Sequence, residues 1–439
     1  ACLVGSEMCI RDRYVYGDFL SQVLGFVSSD NTGQSGLEAY YDKYLRGVDG
    51  AILTPSDLVG KELEGESAYY TPPVSGLNVV TTIDFRIQRV VENVLDLVMQ
   101  GHSPKGARCI VVNPQTGEVL AMSSKPSVDL NNLPRDNIGE LMASTKNMLI
   151  TDVYEPGSTF KVLTAAAMLE EYARGNPKAH SASYVFPNNA NFRIVDGSRV
   201  KCWTTHTSSK HCNQNLGDAL NNSCNPIFTD IGLSLGKETM YKYLSAFGYG
   251  AVSGIDFAGE QAGLLVAESA VTNGDLARIS FGQTIAVTPL QLAMATSAAV
   301  NGGLLMQPYL VKEIRTQEGE LVKKFYPTVR QRAISEKVSR ELAGLLENVV
   351  TNGSGKQAYI EGFKVGGKTG TAQKYENGHI AVGKYVSSFV GFFPADNPQY
   401  LALMLVDEPT GAHYGSTVAA PYAKMIFQQI INYKNLKPA

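Results

Sequence analysis

Ser158 and Lys161, three residues apart, are the first pair in the chain that could do chemistry together. Pro156 and Gly157 punctuate the backbone just before them. Thr159 to Glu171 then supplies good helix formers, with apolar residues at helical spacing. The pattern predicts a helix with Ser158 at its mouth and Lys161 one turn along the same face. A serine hydroxyl attacks a carbonyl only when a base takes its proton. A lysine can be that base if burial or a second cation disfavours its charge. The free N–H groups and dipole at a helix start favour the negative charge that develops.

One Ser-x-x-Lys is also what a capped helix with a surface lysine shows, and the chain holds a second copy at Ser234 and Lys237. Order separates them. Ser223-Cys224-Asn225 and then Lys368-Thr369-Gly370-Thr371 follow Ser158, whereas no Ser-x-Asn follows Ser234. The other Ser-x-Asn, at Ser29, precedes both lysine motifs.

With these three motifs in series the chain resembles the class B penicillin-binding proteins, the monofunctional D,D-transpeptidases of bacterial wall synthesis. The resemblance runs from about Tyr16 to the C-terminus. It is carried also by Tyr154 to Lys161, Asn222 to Pro226, Phe281-Gly282-Gln283, Val287 to Gln291 and Gly366 to Gln373. It looks closest to division or sporulation enzymes of Gram-positive bacteria.

The resemblance implies roles. Ser158 attacks the penultimate D-alanine carbonyl of a stem peptide, and Lys161 takes the serine proton. Ser223 passes a proton to the leaving D-alanine, and Asn225 positions Lys161 and the substrate amide. Lys368, with the Thr369 and Thr371 hydroxyls, meets the substrate carboxylate, while Gly370 lets backbone and substrate approach. The backbone N–H groups of Ser158 and Thr371 form the oxyanion hole. Lys161 is expected to lose its charge through burial and through Lys368 nearby. No metal or organic cofactor is implied. The implied partners are stem peptides, β-lactam antibiotics, a membrane glycan polymerase, and division or sporulation proteins.

Composition agrees with an extended globular catalyst. The chain has 439 residues, 44% hydrophobic and 18% charged, with a net charge of −3. A globular protein of one large domain or two modest ones fits. No long basic run speaks for nucleic acid. No apolar stretch of about 18 residues is present for a membrane span. Residues 1–13 read as translated adapter sequence from library preparation and are left out of fold reasoning. The resemblance implies an upstream single-pass anchor and an extracytoplasmic location.

The elements that must position the motifs follow from pattern. Residues 14–75 are turn-rich and match a pedestal or dimerisation region, with a capping box at Ser35 and Glu38 opening a helix that stops near Gly47. The resemblance implies that residues 76–439 form the transpeptidase domain. Val79 to Ile83 reads as a strand, and Asp84 caps a helix whose inner face is Ile87, Val90, Val91, Val94, Leu97 and Val98. Cys109 to Val112 and Val119 to Met122 make a hairpin that begins the central sheet. Pro226 to Phe247 looks helical. Thr288 caps a helix with proline first, and Ser335 to Asn352 is another helix. Strands return at Phe363 to Gln373, Tyr385 to Phe393 and Tyr400 to Val406, before a last helix over Val418 to Tyr433. The expected class is α+β: one antiparallel sheet with helices on both faces.

Six cysteines are present, two of them in the adapter-like segment. The spacing of Cys109, Cys202, Cys212 and Cys224 fits no common zinc pattern. Cys224 sits inside the second motif, so a Cys202–Cys224 bridge could act as a redox switch. A Cys202–Cys212 bridge and free thiols stand beside it.

Two other functions share parts of this signature. A β-lactamase or D,D-carboxypeptidase would use the same acylation, but no Glu-x-x-Leu-Asn is present to activate a deacylating water. A β-lactam-sensing or scaffold domain would keep Ser158 and Lys161 without turnover.

Overall fold

Alternating apolar side chains dictate the central sheet, because successive residues of a strand point to opposite faces. The protein is described here from a computed structural model covering residues 10–53, 69–187, 190–206, 211–376 and 379–438. In chain order, α1 (Phe85–His102) precedes β1 (Gly106–Val112) and β2 (Val119–Lys125). A 3-10 turn (Gly157–Phe160) leads into α2 (Lys161–Ala173). A small hairpin, β3 (Phe192–Val195) and β4 (Ser198–Lys201), precedes α3 (Leu216–Asn221), α4 (Asn225–Leu235) and α5 (Lys237–Ala246). Then come α6 (Pro289–Val300), α7 (Glu336–Thr351), β5 (Gly366–Glu376), β6 (His379–Phe393), β7 (Tyr400–Asp407) and α8 (Ala420–Lys434).

The five long strands pair antiparallel in the order β5-β6-β7-β1-β2. Ile110, Val112, Leu401, Leu403 and Leu405 pack into one core with α2, α4, α6 and α7. Their neighbours Cys109, Val111, Ala402, Met404 and Val406 pack into a second core with α1 and α8. The class is therefore α+β, a sheet with helices on both faces, as the pattern predicts. The strand Asn78–Thr81 joins a separate three-stranded sheet with Val311–Arg315 and Leu321–Lys324.

The predicted caps at Asp84 and Thr288 form, and Ser335 caps α7 as well, each side chain accepting from a backbone N–H one turn on. Three expectations shift. Leu97 on α1 is 47% exposed, and Leu95 takes its place in the core. The run after Pro226 breaks into α4 and α5 at Gly236, whose φ of 81° suits only glycine comfortably. Ser35 is the N-cap of a short helix, Gly36–Tyr40, but its side chain makes no cap hydrogen bond. Glu38 instead accepts from Arg11 Nε at 2.9 Å. Arg11 comes from the adapter-like segment, of which residues 1–9 lie outside the described residues. The leader helix also divides, continuing as Asp42–Leu45 after Tyr41.

Tyr41 and Asp256 join the leader to the body. The buried Tyr41 hydroxyl donates to Asp256 Oδ2 at 2.7 Å. Asp256 also accepts from the backbone N–H groups of Leu310 (2.6 Å) and Val311 (2.9 Å). Burial raises the Asp256 carboxyl pKa, against these hydrogen bonds.

Candidate active site

The 3-10 turn places Ser158 at the floor of a groove, and its geometry is set by close backbone packing. Gly157 N–H donates to Gly282 O at 2.9 Å. A Cβ on Gly282 would lie 2.1 Å from Gly157 O and 2.7 Å from Phe160 Cβ, and its φ is 85°. Tyr154 and Val287 exchange backbone hydrogen bonds at 3.0 Å each. Thr284 N–H donates to Glu155 Oε1 at 2.8 Å. The Phe281-Gly282-Gln283 phrase is thus the strap that holds the nucleophile turn.

Lys161 opens α2 and is fully buried. Its Nζ lies 3.0 Å from Ser158 Oγ, 2.8 Å from Ser223 O, 3.1 Å from Ser223 Oγ and 2.7 Å from Asn225 Oδ1. The Ser223 carbonyl and Asn225 Oδ1 can only accept. Asn225 Nδ2 donates to Lys201 O at 3.1 Å, which fixes the orientation of the amide. In a neutral amine those two acceptors use both N–H bonds and leave the lone pair for a hydroxyl. Burial pushes the Lys161 pKa down to about 8, while the nearby Cys202 and Cys224 thiols pull it the other way.

Lys368, on β5, is also fully buried. Its Nζ donates to Ser223 Oγ at 3.1 Å and to Thr369 O at 3.2 Å. Burial and then Lys161 hold its pKa well below the ordinary lysine value. The expectation was that Lys368 would press on Lys161. Burial dominates for both amines, and repulsion between them adds to it at Lys368.

Ser223 turns between the two lysines with a φ of 53°, a left-handed backbone that serine rarely adopts. That turn lets its carbonyl and its hydroxyl both face Lys161. Asn225 starts α4, and Pro226 follows at a position where a missing N–H costs nothing.

The three motifs converge on one groove of about 630 Å³, lined by Ser158, Ser223, Asn225, Thr369, Gly370 and Thr371. β5 is the edge strand beside the nucleophile turn. Gly370 answers an internal demand as well as the expected substrate one: a Cβ there would lie 2.4 Å from Ser388 Oγ and 3.0 Å from Thr159 Cγ2. Thr369 Oγ1 donates to Ser354 Oγ at 3.1 Å, and Thr371 Oγ1 accepts from Gly415 N–H at 3.1 Å. The second Ser-x-x-Lys stays apart. Ser234 Oγ donates to Lys178 O at 2.6 Å, and Gly236 separates Ser234 from the helix of Lys237.

Sequence reasoning missed part of the groove wall: Trp203, Arg278, Gln373, Tyr385, His413 and Tyr414. Tyr385 stacks on His413 at 4.2 Å between ring centroids. The aromatic pair His413-Tyr414 after the last strand was the available signal. Trp203 Nε1 donates to Asn222 O at 2.9 Å, so the segment before it leans on the second motif. Cys202 and Cys224 are adjacent thiols. A hydrogen bond from the Cys224 thiol holds the Cys202 pKa well down, and the same contact raises that of Cys224.

A family model described as "Penicillin binding protein transpeptidase domain" matches residues 107–431. The chain belongs to the penicillin-binding protein transpeptidase family. A second model, the penicillin-binding protein dimerisation domain, matches residues 9–81, which makes this a class B member. Among curated relatives, Stage V sporulation protein D of Bacillus subtilis is 40% identical over 436 residues, 99% of this chain. The chain spans 65% of that relative's length. Peptidoglycan D,D-transpeptidase FtsI of Escherichia coli K12 is 28% identical over 430 residues, covering 98% of this chain and 68% of the relative. Penicillin binding protein 3 of Mycobacterium tuberculosis, solved with ampicillin, is 25% identical with a TM-score of 0.83. That match covers 97% of this penicillin-binding protein and 90% of the solved chain.

Proposed function

We propose that the protein crosslinks peptidoglycan as a serine-type D,D-transpeptidase and is acylated by β-lactams at Ser158. The observation that carries this is a single buried amine, Lys161 Nζ, within 3.1 Å of Ser158 Oγ, Ser223 Oγ and Asn225 Oδ1. Ser158 Oγ bonds to the carbonyl carbon of the penultimate D-alanine while Lys161 takes its proton. The oxyanion faces the backbone N–H groups of Ser158 and Thr371. The bond to the terminal D-alanine breaks, and Ser223 hands the departing nitrogen a proton. An amine of a neighbouring stem then displaces Ser158 and closes the crosslink. Lys368, Thr369 and Thr371 hold the donor's carboxylate from β5. Residues 14–75 serve as a pedestal for the domain at 76–439, on the outer face of the cell membrane beside a glycan polymerase.

Incubation with fluorescent penicillin followed by mass mapping tests the reading. One stable adduct on Ser158, and release of D-alanine from a pentapeptide donor with an amine acceptor, are expected. Failure to label would remove the acyltransferase reading. An adduct lost within seconds would make the protein a hydrolase.

A further inference from the structure

Behind the second motif lies a cluster that the acyl-transfer chemistry does not use. Cys202, His206, His211 and Cys224 each offer one ligand atom, and all four atoms lie within 4.8 Å of one another. Cys224 Sγ stands 3.8 Å from His206 Nε2. His211 and Cys224 are buried, and Cys202 and His206 partly so. Two thiolates and two imidazoles are the donor set of a closed tetrahedral zinc site. Bond lengths of about 2.3 Å to sulfur and about 2.0 Å to nitrogen imply ligand separations of roughly 3.3–3.8 Å. The cluster needs to close by only about 1 Å to reach them.

We propose that Cys202, His206, His211 and Cys224 bind one zinc ion that braces the second catalytic motif. Cys224 lies between Ser223 and Asn225, so pinning its sulfur pins the backbone of both. Ser223 holds a left-handed conformation that its surroundings must enforce. The loop supplying three ligands is already stitched to the motif on either side, by Trp203 to Asn222 and by Asn225 to Lys201. The metal adds the central fastening. With four protein ligands it has no open position for water, so its role is positioning. Three, four and twelve residues separate successive ligands along the chain, a spacing outside the usual finger patterns. The fold brings them together.

The site uses the same two thiols that a Cys202–Cys224 disulfide would consume, so the two states exclude each other. This inference rests on the proposed role of Ser223 and Asn225 only for its effect on acylation. The test uses the whole chain, purified under reducing conditions and loaded with zinc or cobalt(II). One metal per chain is expected by elemental analysis. Cobalt should show sulfur-to-metal charge-transfer absorption, lost in Cys224→Ser and in His211→Ala. His206→Ala, at a partly exposed position, keeps the test open if the buried variants fail to fold; it should weaken zinc binding by at least tenfold. Chelation should slow penicillin acylation at least tenfold, and added zinc should restore it. Absence of stoichiometric metal in the reduced protein would overturn the site, as would metal retained by all three variants or a Cys202–Cys224 disulfide that persists under reductant. Equal acylation with and without metal would overturn the bracing role. Metal bound by a protein that takes up no penicillin would leave the site standing and end the acyltransferase reading.

Discussion

Lys161 and Lys368 share one hydroxyl: each Nζ lies 3.1 Å from Ser223 Oγ. Lys368 donates to that hydroxyl, and a neutral Lys161, its two N–H bonds taken by the Ser223 carbonyl and Asn225 Oδ1, can only accept from it. Two full charges on buried amines that share one hydroxyl repel. The pair therefore holds fewer than two positive charges near neutrality, and one amine is available as a base.

The first prediction separates the two Ser-x-x-Lys copies. Ser158→Ala should abolish penicillin labelling, and Ser234→Ala should leave it unchanged. Ser234 only bonds the Lys178 carbonyl, away from the groove. Gel fluorescence after labelling reads both.

Acylation should rise with pH through about 8 and level off above it, as Lys161 loses its proton. At pH 7 about a tenth of such a lysine is neutral, against less than about 0.1% of an ordinary one. Lys161→Arg stays charged and should lower the acylation rate roughly 10²–10⁴-fold at every pH. Stopped-flow acylation across pH 6 to 10 measures it, and a flat profile would refute the role of Lys161.

Gly370→Ala should displace β5 from the nucleophile turn, because the new methyl meets Ser388 Oγ and Thr159 Cγ2. A stability loss of roughly 1–3 kcal/mol is expected, with slower acylation. Thermal unfolding together with acylation rate checks it. Unchanged behaviour in both would show that the strand can give way.

Asp256→Ala should loosen the leader, since one carboxylate serves Tyr41 and two backbone N–H groups. The expected cost is about 2–4 kcal/mol, with faster proteolysis around the Tyr41 helices. Tyr41→Phe removes one bond only and should cost about 1 kcal/mol. A Tyr41 variant as damaging as the Asp256 one would contradict this ordering.

Much of this was legible in the sequence where local rules decide. The strands around Cys109 and Leu403, the caps at Asp84 and Thr288, and the three motifs all came through. What failed had a tertiary cause. Ser35 could not keep Glu38 once Arg11 offered a charge. The helix after Pro226 reads as continuous until Gly236 takes a left-handed turn. Leu97 has the right period for burial, yet α1 rotates Leu95 inward. The nearness of Cys202 and Cys224 was anticipated, but His206 and His211 beside them were not, because the four meet only after the β3–β4 hairpin folds against α4.

The place of β5 at the end of the sheet has a further consequence. Among the described residues no strand lies on its far side. A bare strand margin invites any extended polypeptide to align with it, including another copy of the chain. Here the margin lies against the Gly157–Phe160 turn, where Gly370 leaves less room than a methyl group needs. The turn thereby occupies part of the margin that another strand would need. The same crowding that builds the catalytic floor also discourages the protein from polymerising through its own seam.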